Sequence, residues 1–162
     1  MPGRIKGLLP HLMAGFMALI FLDSLLYKFT NAAETQMIFG ALDAWAARWG
    51  APGLFAQTGL FSQYVIGAIE LAASVLLLAG MIPGYRRLQA MGALAGLLVM
   101  TGAVSFHLFT PLGIDPNHDG GGLFAAACTN LVFAALLLCL FRRRELFDFA
   151  GRFFALFTPA PM

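Results

Sequence analysis

Four long apolar runs, at residues 8–29, 61–82, 88–109 and 123–141, divide the chain, and hardly a charge interrupts them. Each is close to the ~20 residues that an α-helix needs to cross a hydrocarbon core of ~30 Å. The runs do not alternate apolar and polar positions as the strands of a membrane barrel do. An open strand in lipid would also leave its backbone groups unpaired. The pattern therefore predicts an all-α fold, an integral membrane four-helix bundle forming a single transmembrane domain over residues 1–162. Arg4 and Lys6 ahead of the first run have the layout of a signal peptide. No small-residue cleavage site closes that run, so a signal-anchor first span is expected.

The segments between the runs carry patterns of their own. Over residues 34–49, Met37, Ile38, Ala41, Leu42, Trp45 and Trp49 recur at helical spacing. This predicts an amphipathic helix in or on the outer leaflet, with its Trp residues at headgroup level. Gly50, Pro52 and Gly53 then break it. The second run ends at Ile82-Pro83-Gly84, and so short a link makes spans two and three antiparallel neighbours. Gly92 and Gly96 in span three form a GxxxG pair, which suits close packing within the chain or between two copies. Residues 145–157 hold Leu146, Phe147, Phe149, Phe153, Phe154 and Phe157 between charges. The tail is too short and interrupted to span, and reads as an amphipathic helix on the cytoplasmic surface.

Composition agrees with a membrane location and adds an orientation. The chain is 60% hydrophobic and 11% charged, against about 25% charged in a soluble domain. The net charge of +2 is spread out, with no basic stripe for nucleic acid. Arg4, Lys6, Arg86, Arg87, Arg142, Arg143, Arg144 and Arg152 fall on one side of the spans, and Lys28 and Arg48 on the other. Positive residues stay inside, so both termini and the short turn after span two are expected on the cytoplasmic side. Cys128 and Cys139 lie on one span, ~16 Å apart along its axis. That is too far for a disulfide, and they read as small apolar filler.

Against this background the polar residues inside the runs stand out, because an acid in a span suggests a functional site. Measured from the outer span ends, Asp23 lies ~9 Å deep, Asn130 ~10 Å, Thr101 ~12 Å and Glu70 ~13 Å. Ser105, His107, Tyr27 and Lys28 lie nearer the outer face. These positions predict a polar pocket opening outward, with Asp23, Lys28, Glu70 and His107 as its candidate binding residues. Asn130, Thr101 and Ser105 read better as interhelical glue. An acid with a His could relay protons or hold a polar headgroup, and a quinone between apolar walls would fit. In the second outward loop, Asp115, Asn117, Asp119 and Gly120 match the opening of a calcium loop. The twelfth position is Ala126 where such a loop needs a bidentate Glu. A tight turn with Asp119 capping span four is the better reading of that half-motif. No G-x-S-x-G, H-E-x-x-H or P-loop is present.

Several of these residues also carry a resemblance. Asp23 through Lys28 closing span one, Gly67-Ala68-Ile69-Glu70-Leu71 in span two, and Phe106-His107-Leu108-Phe109-Thr110-Pro111-Leu112-Gly113-Ile114 followed by Asp119-Gly120-Gly121 resemble the DoxX-like family. The similarity covers roughly residues 12–141. It implies a four-helix bacterial inner-membrane protein, linked in that family to quinone-dependent sulfur oxidation and oxidative-stress complexes. It also implies that the family's acid in span two falls on Glu70 and its basic residue ending span one on Lys28. The cysteines are not placed for redox chemistry.

The function expected is that of an accessory, non-catalytic membrane subunit of a respiratory or redox complex, beside a quinone site. Its partners would be the lipid bilayer and other membrane subunits. The alternative is a stand-alone carrier for a small solute or proton, using Asp23 and Glu70. An enzyme acting alone on quinol or thiosulfate fits least, since no prosthetic-group ligands are evident.

Overall fold

The computed structural model describes the backbone of residues 2–157 and the side chains of residues 7–157. The side chains of Arg4 and Lys6, which entered the orientation argument, lie outside the described residues. Among the described residues the chain is all-helical, with six α-helices and no strand. They are α1 (Pro2–Phe29), α2 (Ala33–Arg48), α3 (Gln63–Ala79), α4 (Arg86–Phe109), α5 (Gly122–Leu136) and α6 (Arg143–Ala155). One π turn, Leu137–Phe141, continues α5.

Three helical stretches are long and apolar enough to cross a membrane: Gly7–Phe29, Arg86–Phe109 and Gly122–Phe141. The 61–82 run gives a shorter helix of 17 residues, about 25 Å long. At one end Ser62 accepts a hydrogen bond from Val65 N (3.3 Å) and fixes the start of α3. At the other, Met81 N and Ile82 N bond back three residues, to Leu78 O and Ala79 O, which tightens the helix into a turn. Gly84, at φ +94°, completes the reversal.

Helices α1, α3, α4 and α5 pack around one core that includes Met17, Phe21, Ala73, Leu77, Ala93 and Ala134. The two glycines of the GxxxG pair both face inward. A Cβ on Gly92 would stand 2.8 Å from Ala73 O on α3, and one on Gly96 would meet Met17 and Phe21 of α1. The pair is therefore used for packing within the chain. Outward, the same helices expose large apolar side chains such as Leu19, Val75, Leu98 and Val132.

Helix α2 belongs to a smaller cluster at the end of the molecule that carries Lys28. Leu42 and Ala46 are buried there with Phe55 of the following loop and Leu112 of the α4–α5 loop. Trp45 packs edge-on against Phe106, while Trp49 is exposed. At the opposite end, α6 packs on α4 and leaves Phe147, Phe153, Phe154 and Phe157 exposed.

Candidate functional site

Ser24 and Lys28 are one turn apart on α1, so they share a face, and that face meets Glu70 of α3. Lys28 Nζ donates to Glu70 Oε1 at 2.9 Å and to Oε2 at 2.7 Å. Ser24 Oγ donates to Oε2 at 3.3 Å, and Lys28 Nζ also donates to Ser24 Oγ. The Glu70 side chain is 2% exposed and that of Lys28 14%. Gly67, one turn along α3, lets the two helices close: a Cβ there would lie 3.2 Å from the Phe29 ring.

A cluster of amides adjoins this ion pair at the Lys28 backbone carbonyl. Gln63, buried at the start of α3, donates to Lys28 O (2.8 Å) and to Asn31 Oδ1 (2.9 Å). Its own Oε1 accepts from Gln36 Nε2 of α2 (2.6 Å). Asn31 Oδ1 accepts further bonds from Gln57 Nε2 (3.0 Å) and from Gln36 Nε2. Asn31 has φ +57°, a left-handed conformation that Asn tolerates better than most residues. Its side chain thereby gathers the α1–α2 turn, α2, the 51–62 loop and α3 onto one oxygen.

The other sequence candidates lie elsewhere. Asp23 is exposed on α1 and takes no part in the Lys28–Glu70 pair. Thr101 is exposed and bonds Leu97 O of its own helix (2.7 Å). The outward pocket expected from similar depths is therefore not assembled. Depth along a helix does not fix the face, and these side chains leave their helices in different directions. His107 is buried, but its Nδ1 meets Gly113 O at 2.6 Å. Only a protonated nitrogen can donate to that carbonyl, so the contact fixes the tautomer. The ring packs edge-on against Phe124, and His107 anchors the α4–α5 loop. Asn130, fully buried, reaches from α5 to Met17 O of α1 at a long 3.5 Å, and its Oδ1 has no partner among the described residues.

In the α4–α5 loop, Asp119 turns to the backbone. Oδ1 accepts from Gly121 N and Gly122 N at 2.9 Å each, and Oδ2 from Leu123 N at 2.8 Å. Asp115 is exposed and Asn117 half-buried. Among the described residues no three His, Cys, Asp or Glu side chains converge as a metal site. Cys128 and Cys139 are free.

A second polar cluster, not foreseen from the sequence, sits at the far end. Arg142, counted above among the basic residues on one side of the spans, is 5% exposed. The π turn brings its backbone N to Leu137 O (2.8 Å) and swings the side chain inward. Arg142 Nε donates to Gln89 Oε1 at 2.7 Å, and Gln89 Nε2 lies 3.5 Å from His11 Nδ1. Burial holds the guanidinium below its ordinary pKa, Glu145 opposes that, and Arg86 adds to it. The polar run Arg142-Arg143-Arg144 conceals this arrangement in the sequence, since nothing there marks the π turn.

Chemically, the Lys28–Glu70 site is a closed clasp. Both carboxylate oxygens are engaged, and the amide cluster holds the Lys28 backbone carbonyl. Two open clefts lie apart from it. One, of about 460 Å³, is lined by Trp45, Arg48, Trp49, Phe109, Thr110 and Pro111. The other, of about 500 Å³, is lined by Arg86, Arg87, Arg144, Glu145 and Asp148 with the Pro83-Gly84 turn. No family model matches the chain, and neither a curated protein nor a solved structure matches it. Fold and site together define an all-helical protein with three helices able to cross a membrane and a buried Lys–Glu pair joining α1 to α3.

Proposed function

We propose that this chain is a small integral membrane subunit of a respiratory or redox complex, non-catalytic by itself and set beside a quinone site. In this reading α1, α3, α4 and α5 all cross the bacterial inner membrane as a four-helix bundle. At 17 residues, α3 is at the short end of the ~17–25 that suffice. Both termini and α6 lie on the cytoplasmic side, where Arg86, Arg87, Arg143 and Arg144 collect, and α2 lies on the outer side. The observation that carries the non-catalytic role is the Glu70 carboxylate, whose two oxygens are already held by Lys28 and Ser24.

The redox association rests on the resemblance to the DoxX-like family, and it fits the broad exposed apolar faces. A quinone belongs beside the chain in this reading, because Glu70 is closed to it. The cleft of Trp45, Trp49 and Phe109, with Arg48 as a donor, offers ring faces to such a headgroup. The carrier alternative has less support, because Asp23 and Glu70 do not share a site. The test is recovery of the tagged protein from its native membrane in mild detergent, read by mass spectrometry. Stoichiometric recovery with a flavin, haem or quinone enzyme is expected. Recovery of the chain alone would overturn the proposal.

A further inference from the structure

Helix α1 has an outer face that is exposed along most of its length, with Phe16 also packing edge-on against Phe133 of α5. Phe21 points into the core. Asp23, two residues on, is about 200° further around the helix, so it points away from that core. It is exposed, and among the described residues no ion pair or hydrogen bond holds it. It also lies ~9 Å inside the span when counted from Phe29. A carboxylate at that depth is costly against lipid and pairs with other groups in membrane proteins.

The surroundings of Asp23 point to a helix as the missing partner. Leu9, Leu12, Phe16, Leu19, Asp23 and Leu26 are all exposed and follow a 3-4-3-4-3 spacing. That is the spacing of a seam that packs knobs-into-holes against another helix, where one polar position sets the register. We propose that this face of α1 docks on a membrane-spanning helix of a different subunit, one carrying an Arg or Lys level with Asp23. The proposal rests on the subunit reading above and names the surface and chemistry of the contact.

A second copy of this chain does not meet the requirement. Copies in one membrane share an orientation, so a two-fold contact along α1 would set Asp23 against Asp23 at the same depth. The seam itself holds no cation, and Lys28 is engaged by Glu70. Charge complementarity therefore favours a foreign helix.

The test places a photo-crosslinking benzoylphenylalanine at Leu26, and separately at exposed Leu98 on α4 as a control, in native membranes. The adduct from Leu26 should map to a transmembrane segment of one other protein that contains Arg or Lys. Asp23→Leu should lower both adduct and co-purification about three- to twentyfold, the range of polar contacts between membrane helices. Asp23→Lys together with Asp at the partner's cation should restore them. The isolated Asp23→Leu protein should melt no lower than wild type in detergent, which separates a lost contact from a lost fold. A self-adduct, a partner segment without a cation, or full adduct yield from Asp23→Leu overturns the docking face and leaves the subunit reading standing. Failure to recover any partner, by crosslinking or by purification, overturns both.

Discussion

The Lys28 ammonium closes on both oxygens of the Glu70 carboxylate, at 2.9 and 2.7 Å, across the contact between α1 and α3. Two helices far apart in sequence are thereby fixed in rotation and in register, since a shift of either by one residue would turn its charge to another face. In a buried setting such a pair gives less net stability than its Coulomb energy suggests, because both charges have left water. Its consequence is specificity: the wrong pairing of α1 and α3 leaves a bare charge.

Removing one member should therefore be worse than removing both. Glu70→Gln leaves Lys28 against a neutral amide, and Lys28→Met leaves a buried carboxylate. Each should destabilise the protein by about 3–5 kcal/mol at most, the range for a broken buried pair. Lys28→Met combined with Glu70→Leu should recover much of that loss. Unfolding of the four proteins in detergent micelles measures the cycle. If the double variant is as unstable as the two single losses added together, the pair is not the unit described here.

The amide cluster should hold the 30–62 segment in place. Gln63→Met keeps the volume but removes the bonds to Lys28 O, Asn31 and Gln36. Leaving buried polar groups unpaired costs about 1–3 kcal/mol. That penalty should appear locally, as faster proteolysis within residues 50–60, with the main helices unaffected. Equal cleavage rates in wild type and variant would contradict a structural role for the cluster.

The helical class and the apolar runs were legible in the sequence because hydrophobic length is a strong signal and needs no knowledge of packing. Glu70, Lys28 and His107 were legible as polar residues in apolar surroundings. Their partners were harder to read. Asp23 and Glu70 have similar depths, yet a rotation about the helix separates them and sends Asp23 outward. Ser24 was overlooked because a lone Ser in a span is unremarkable, although its i, i+4 relation to Lys28 marks it in retrospect. Gln36, Gln57 and Gln63 were overlooked for another reason: amides gathered from three segments have no spacing rule. Buried Arg142 depends on a π turn, for which an apolar Leu-Leu-Cys-Leu-Phe stretch gives no warning.

The GxxxG glycines give a graded prediction, since a Cβ at each would meet different matter. At Gly92 the new carbon would press on the α3 backbone, 2.8 Å from Ala73 O and Leu77 N. Backbone cannot step aside, so Gly92→Ala should force α3 and α4 apart and destabilise by about 1–3 kcal/mol. At Gly96 the neighbours are the ends of Met17 and Phe21, at 3.1 and 3.2 Å. These side chains can shift a few tenths of an ångström, so Gly96→Ala should cost less. Unfolding in micelles ranks them, and the reverse order would mean that α4 packs by another face.

The Asp119 carboxylate should give the start of α5 a pH dependence of definite sign. Desolvation works to raise its pKa, but bonds from Leu123, Gly121 and Gly122 backbone N–H groups, with a further one from Asn117, outweigh it and hold the carboxyl below its ordinary value. A group whose folded pKa is depressed contributes its stability above the unfolded value, ~3.9 for Asp, and loses it only as pH falls through the folded value. Hydrogen exchange at Gly122 and Leu123, corrected for intrinsic rates, should thus show protection that stays level from neutral pH down to the ordinary carboxylate range. Protection should fall only below that range. Asp119→Asn keeps an acceptor oxygen but no charge to face the positive end of the α5 dipole. Its protection should be lower at neutral pH and flat through the acid range. If wild-type protection disappears at or above the ordinary carboxylate pKa, the three backbone bonds are not favouring the ionised form, and the loop is held by His107 and Leu112 alone.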